Sequence, residues 1–110
     1  MKKIVAYKGS FKELYDSLPQ KGKDKVDRVL VLMQSDNKMP AHFIKHLKDG
    51  IFELRISLID KELRFLFFYD GNQLVIIVNC FVKKTRKTPR RAIENAFRLR
   101  KEYYEDNGQQ

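Results

Sequence analysis

The chain has 110 residues, 43% hydrophobic and 34% charged, with 12% aromatics and a formal net charge of +9. That length fits one domain over residues 1–110, and the apolar and aromatic content excludes a disordered chain. No apolar run approaches a membrane span, no apolar leader follows Met1-Lys2-Lys3, and the single cysteine, Cys80, cannot close an internal disulfide, so a cytoplasmic protein with no membrane partner is the expectation.

Residues 3–7 are β-prone and read as a strand near a sheet edge. Ser10, with Glu13 three positions on, has the pattern of a capping box. The helix it starts, 11–18, aligns Phe11, Leu14, Tyr15 and Leu18 on one face before Pro19 ends it. A second helix over 22–35 repeats Val26, Val29, Leu30 and Met33 at helical spacing, so a helical hairpin is expected. Residues 36–40 read as a loop and 41–47 as a further turn. From Ile51 to Leu58 the chain alternates: Phe52, Leu54, Ile56 and Leu58 belong to the core, with Glu53 and Arg55 on the opposite, more open face. A turn at Asp60-Lys61 leads to a strand over 63–69, and Asp70-Gly71 marks a hairpin into a strand over 73–81. Leu74 to Val78 is apolar on both faces, which suits an interior strand. Pro89 opens a last helix with Thr88 as its expected cap, and 105–110 reads as a frayed tail. The expected fold is α+β, a small antiparallel sheet with helices on one face, in the order β-α-α-β-β-β-α.

Charge is concentrated. Residues 83–101 carry nine of the 23 basic side chains (Lys83, Lys84, Arg86, Lys87, Arg90, Arg91, Arg98, Arg100, Lys101) and one of the 14 acids, Glu94. Such a segment is the footprint of a polyanion, most often nucleic acid; the bland alternative is a solvated basic helix. A phosphate-binding Gly-rich loop, a Cys cluster and Gly-x-Ser-x-Gly are all missing. His42 and His46 stand four apart but lack the intervening Glu and third ligand of a zinc site, so neither metal nor cofactor is expected; His46 stays a candidate substrate contact. Cys80 reads as a buried packing thiol.

Arg55 and Arg64 flank one tight turn and could lie near one another across the ladder if the register allows, with Lys83 and Lys84 leaving the next strand at one end of the sheet; the bland reading pairs Arg55 with Glu53 or Glu62 and makes Arg64 an edge charge. A cluster of this kind suits RNA cleavage without a metal. The ribose 2′-OH is an internal nucleophile already held near its phosphate. Guanidinium groups stabilise the charge that builds on the phosphorane oxygens, and a lysine crowded by cations can act as general base.

The string Leu47-Lys48-Asp49-Gly50-Ile51-Phe52-Glu53-Leu54-Arg55 is followed by Arg64-Phe65-Leu66-Phe67-Phe68 ahead of Asp70-Gly71-Asn72. Next come Phe81-Val82-Lys83-Lys84-Thr85-Arg86-Lys87-Thr88-Pro89, then Ala92 and Ala96 in a helix. Together they resemble the phage-derived HigB-like branch of the RelE/ParE toxin superfamily, over nearly the full chain. The resemblance implies the toxin of a type II toxin–antitoxin system: a metal-independent mRNA endoribonuclease acting on ribosome-bound mRNA and held inactive by a helix-turn-helix antitoxin. Carried over by motif, the catalytic set is Arg55, Arg64, Lys83 and Lys84; Arg86, Lys87, Arg90, Arg91 and His46 are expected on the RNA. Where some members carry a C-terminal tyrosine, this chain has Arg90 and Arg91, with Tyr103 and Tyr104 the nearest, and no histidine follows His46, so the acid and base stay unassigned. A ParE-like inhibitor of gyrase and a non-catalytic nucleic-acid-binding module remain as alternatives. Arg64→Ala and Lys84→Ala are expected to keep the fold and lose mRNA cleavage.

Overall fold

The computed structural model describes residues 1–35 and 39–108. Its elements are β1 (Lys3–Ala6), α1 (Ser10–Asp16), α2 (Gln20–Gln34), a single 3-10 turn (Ala41–Phe43), β2 (Ile44–Lys48), β3 (Ile51–Ser57), β4 (Glu62–Asp70), β5 (Leu74–Lys83) and α3 (Arg90–Asp106). The class is α+β, as expected, with one strand more than the sequence pattern suggested. β2 lies in a segment expected to be a turn. It is a short edge strand, Ile-Lys-His-Leu-Lys, with Ile44 and Leu47 half-buried and the other three residues exposed, and edge strands of that kind carry little apolar signal. Part of the expected 36–40 loop, and the end of the expected frayed tail, lie outside the described residues. α3 runs on to Asp106, and the Asn107 amide donates to Tyr103 O (2.7 Å) at its last turn.

The sheet is mixed, not antiparallel. Its order is β1-β5-β4-β3-β2, and β1 runs parallel to β5 because the α1–α2 hairpin carries the chain across before β2 begins. Nor do the helices share one face. α1 and α2 bring Leu14, Leu18, Val26, Val29 and Met33 against Leu54, Ile56, Leu63, Phe65, Phe67, Val75 and Ile77. α3 brings Ala96, Leu99 and Tyr103 against Ile51, Leu66, Phe68, Ile76 and Val78 on the other face. The apolar content of β5 on both of its faces is the sequence counterpart of this two-sided cover.

Neither expected helix cap forms. Ser10 is the first residue of α1, and its hydroxyl donates to Val78 O (3.4 Å) and accepts from Cys80 N (3.1 Å), so it ties the helix to β5. Thr88 stands ahead of Pro89, the α3 N-cap, and its hydroxyl donates instead to the carboxylate of Glu53. A buried carboxylate without partners is costly, and the hydroxyl serves that need.

One irregularity decides which side chains reach each face of β5. Leu66 pairs with Asn79 but Phe67 pairs with Ile77, so Val78 is an extra residue in the strand. This bulge inverts the alternation of the strand's second half. Phe81 and Lys83, which an unbroken strand would turn toward α1 and α2, share the α3 face.

Candidate functional site

α3 covers only part of its face. Beyond Ile51, Leu66 and Phe68 the strand registers align two rows of a different character: Arg55, Arg64 and Phe81, then Ser57, Glu62 and Lys83. The register makes Arg55 and Arg64 direct cross-strand partners, where the turn spacing allows them only to lie near one another. Like charges placed opposite one another repel, and two carboxylates offset the repulsion. Arg64 is 6% exposed, and its Nη1 donates to Leu63 O at 2.9 Å and to Glu62 Oε1 at 3.3 Å. Its Nε lies 3.7 Å from Glu53 Oε1, too far for a hydrogen bond, and is a buried donor with no partner among the described residues. Glu62 in turn accepts from the Ser57 hydroxyl (2.8 Å), which together with Arg64 holds its carboxyl below the usual carboxylate range. Arg55 is half-buried, and among the described residues its side chain donates through Nε alone, to His42 O at 3.2 Å.

After Lys83 the chain must return to Asn79, whose side chain donates to Ala92 O at 3.2 Å. Residues 84–89 make that return across the charged end of the face, held down where Thr88 meets Glu53 and shaped by Thr85 Oγ1 on Lys87 O (2.6 Å). Lys84, Arg86, Lys87 and Arg91 are exposed and make no ion pair among the described residues, while Arg90 pairs with Glu94 at 3.2 Å. Not all of the basic run is available. Arg98 is taken by Glu102 (2.5 Å) and Asn95. Arg100 donates to Asp49 O (2.7 Å) and lies over the Phe97 ring at 5.2 Å, so it is a staple between α3 and the β2–β3 turn.

The structure thus brings Arg55, Arg64 and Lys83 onto one face, with Lys84, Arg86, Lys87, Arg90 and Arg91 in the segment and helix that come after. It does not bring in His46, which pairs with Phe52 on the opposite face, stacks edge-on against that ring at 5.0 Å and accepts from Gly50 N (3.2 Å). The tyrosines are structural as well. Tyr103 is buried against Phe68 at the α3 end of the face and donates to Asp70 (2.8 Å); burial and that bond push its hydroxyl up to about 12. Cys80 is buried, and burial pushes its thiol up to about 12. Sequence reasoning missed Glu53 and Thr88 as a linked pair, since only the strand register and the returning segment join them. The one available signal was an acid sharing the open-face set of its strand with Arg55. Among the described residues no group of three or more His, Cys, Asp or Glu could hold a metal ion, and no helix is long and apolar enough to cross a membrane.

No curated protein matches this chain. The sequence profile of the phage-derived protein Gp49-like family (DUF891) matches residues 13–101, from α1 through most of α3. The chain belongs to that family, which is RelE-like.

Proposed function

We propose that this protein is the toxin of a type II toxin–antitoxin system, of the HigB-like branch, and that it cleaves mRNA in the cytoplasm on translating ribosomes. The observation that carries the reading is the registered Arg55–Arg64 pair on the face that Lys83 joins and Lys84 adjoins. In the reaction the 2′-oxygen attacks the adjacent phosphorus and the P–O5′ bond breaks, leaving a cyclic phosphate and a free 5′-hydroxyl. Arg55 has Nη donors without a partner among the described residues for the non-bridging oxygens, Lys84 adds a mobile positive charge, Lys83 takes the 2′-hydroxyl proton as base, and solvent water returns a proton to the departing 5′-oxygen. Arg64, enclosed by Glu53 and Glu62, sets the geometry and field behind Arg55. An antitoxin with an acidic segment would neutralise the same basic face.

The test is controlled expression with 5′-end mapping of an abundant transcript, during translation and with initiation blocked. Cuts inside the reading frame that vanish with initiation are expected. Arg55→Ala and Lys84→Ala are expected to lower cleavage on the order of 10²–10³-fold, as loss of one transition-state donor does. Arg64→Ala does not test chemistry alone: it strands buried Glu53, a change that costs about 3–5 kcal/mol of stability. Growth arrest with transcripts intact would overturn cleavage and favour a gyrase-directed toxin.

A further inference from the structure

Between α3, the 84–89 segment and the end of β2 lies a groove of about 620 Å³, lined by Lys48, Lys87, Arg90, Ile93, Glu94 and Phe97 together with Thr85, Thr88 and Pro89. We propose that this groove holds one unpaired nucleotide of single-stranded RNA, its base against Ile93 and Phe97 and its flanking phosphates on Lys48 and Lys87. The inference rests on the reading of this face as an RNA site and adds a subsite to it.

Three features carry the assignment. The size falls within the roughly 300–1,000 Å³ of pockets that enclose small ligands, which admits a nucleotide. The cations for phosphate come from separate elements: Lys48 from β2 and Lys87 from the returning segment. The one acid, Glu94, is already neutralised by Arg90 at 3.2 Å. An apolar floor with cations around it is the pattern of a site that stacks a base and tracks the backbone. Two of the groove's polar side chains already have partners. The Thr88 hydroxyl is committed to Glu53 and the Thr85 hydroxyl to Lys87 O.

Fluorescence anisotropy with a 2′-O-methyl oligouridylate tests this without cleavage, because that probe has no free 2′-OH. Lys48→Glu is expected to weaken binding by about tenfold, a typical effect on a phosphate-contacting site. Lys101→Glu changes net charge equally from an exposed position outside the groove and should leave affinity close to the parent. An equally long phosphodiester without bases should bind about tenfold more weakly, the size of one stacked base. Equal affinities for Lys48→Glu and Lys101→Glu, or for probes with and without bases, would overturn the subsite; so would failure of the parent to bind. Polyglutamate binding as tightly as the RNA probe would also overturn it and give the groove to an acidic protein segment. Tight, base-dependent binding by a protein that cuts no transcript would retain the subsite and remove the cleavage reading instead.

Discussion

Glu53 and Arg64 are the charged side chains that the fold buries among the described residues, at 2% and 6% exposure, and they are buried side by side. Arg64 could not sit opposite Arg55 without a nearby negative charge, and Glu53 could not be buried without Arg64 and the Thr88 hydroxyl. Removing one member of a buried pair costs about 3–5 kcal/mol, so Glu53→Ala should lower stability by that order in denaturant titrations. Thr88→Val should cost about 1.5–3 kcal/mol, the worth of a hydrogen bond to a charged group. It should also release residues 84–89, read as faster tryptic cutting after Lys84, Arg86 and Lys87. Unchanged cutting would mean that Thr88 does not hold the segment. Cys80 makes a separate prediction: its thiol, pushed up to about 12 by burial, should resist alkylation in the native protein and react fully on unfolding.

At the scale of elements, α3 is fixed to the sheet at both ends. Near its start Asn79 holds Ala92 O. Toward its end Tyr103 holds Asp70, Arg100 holds Asp49 O, and Tyr7 donates to Asp106. The β2–β3 turn must accept Arg100 closely. Gly50 has φ +84°, and a Cβ there would come 3.1 Å from Arg100 Nη1. Gly50→Ala should therefore destabilise the protein by about 1–2 kcal/mol, the cost of a left-handed alanine, and loosen the end of the groove near Lys48. The tyrosines at the α3 end set an alkaline limit. Their hydroxyls lie near 12 in the fold against 10.0 ordinarily, so the folded state keeps protons that the unfolded chain gives up. The stability this supplies is complete below pH 10.0 and is lost as pH rises toward about 12. The denaturation midpoint should fall through that window, and the fall should be shallower in Tyr7→Phe/Tyr103→Phe.

For the whole molecule, the sheet separates two tasks. One face builds a core with α1 and α2; the other is part core under α3 and part open charge. The basic segment lies almost wholly on the second side, so association with a polyanion should be oriented and strongly salt-dependent. Each phosphate engaged on a single strand contributes about −0.7 to the slope of log affinity against log salt. Lys84→Ala and Lys87→Ala should each make that slope shallower by about one contact, while Lys12→Ala, on α1, should not.

Much of this molecule is legible in its sequence. Periodicity marks three helices and four of the five strands, the turn spacing puts Arg55 and Arg64 within reach on adjacent strands, and the charge run marks one end of the molecule as basic. These are local properties, set by repeats of 2.0 and 3.6 residues and by composition. What only the tertiary structure decided depends on segments far apart in sequence. The bulge at Val78 turns Lys83 toward Arg64, and the return of the chain joins Thr88 to Glu53. The pairing of β2 with β3 turns His46 away and brings Lys48 to the groove. A one-residue shift in register exchanges the faces of a strand. Side-chain alternation in a single sequence is the same on either side of that shift; the partner strand alone determines which charges meet.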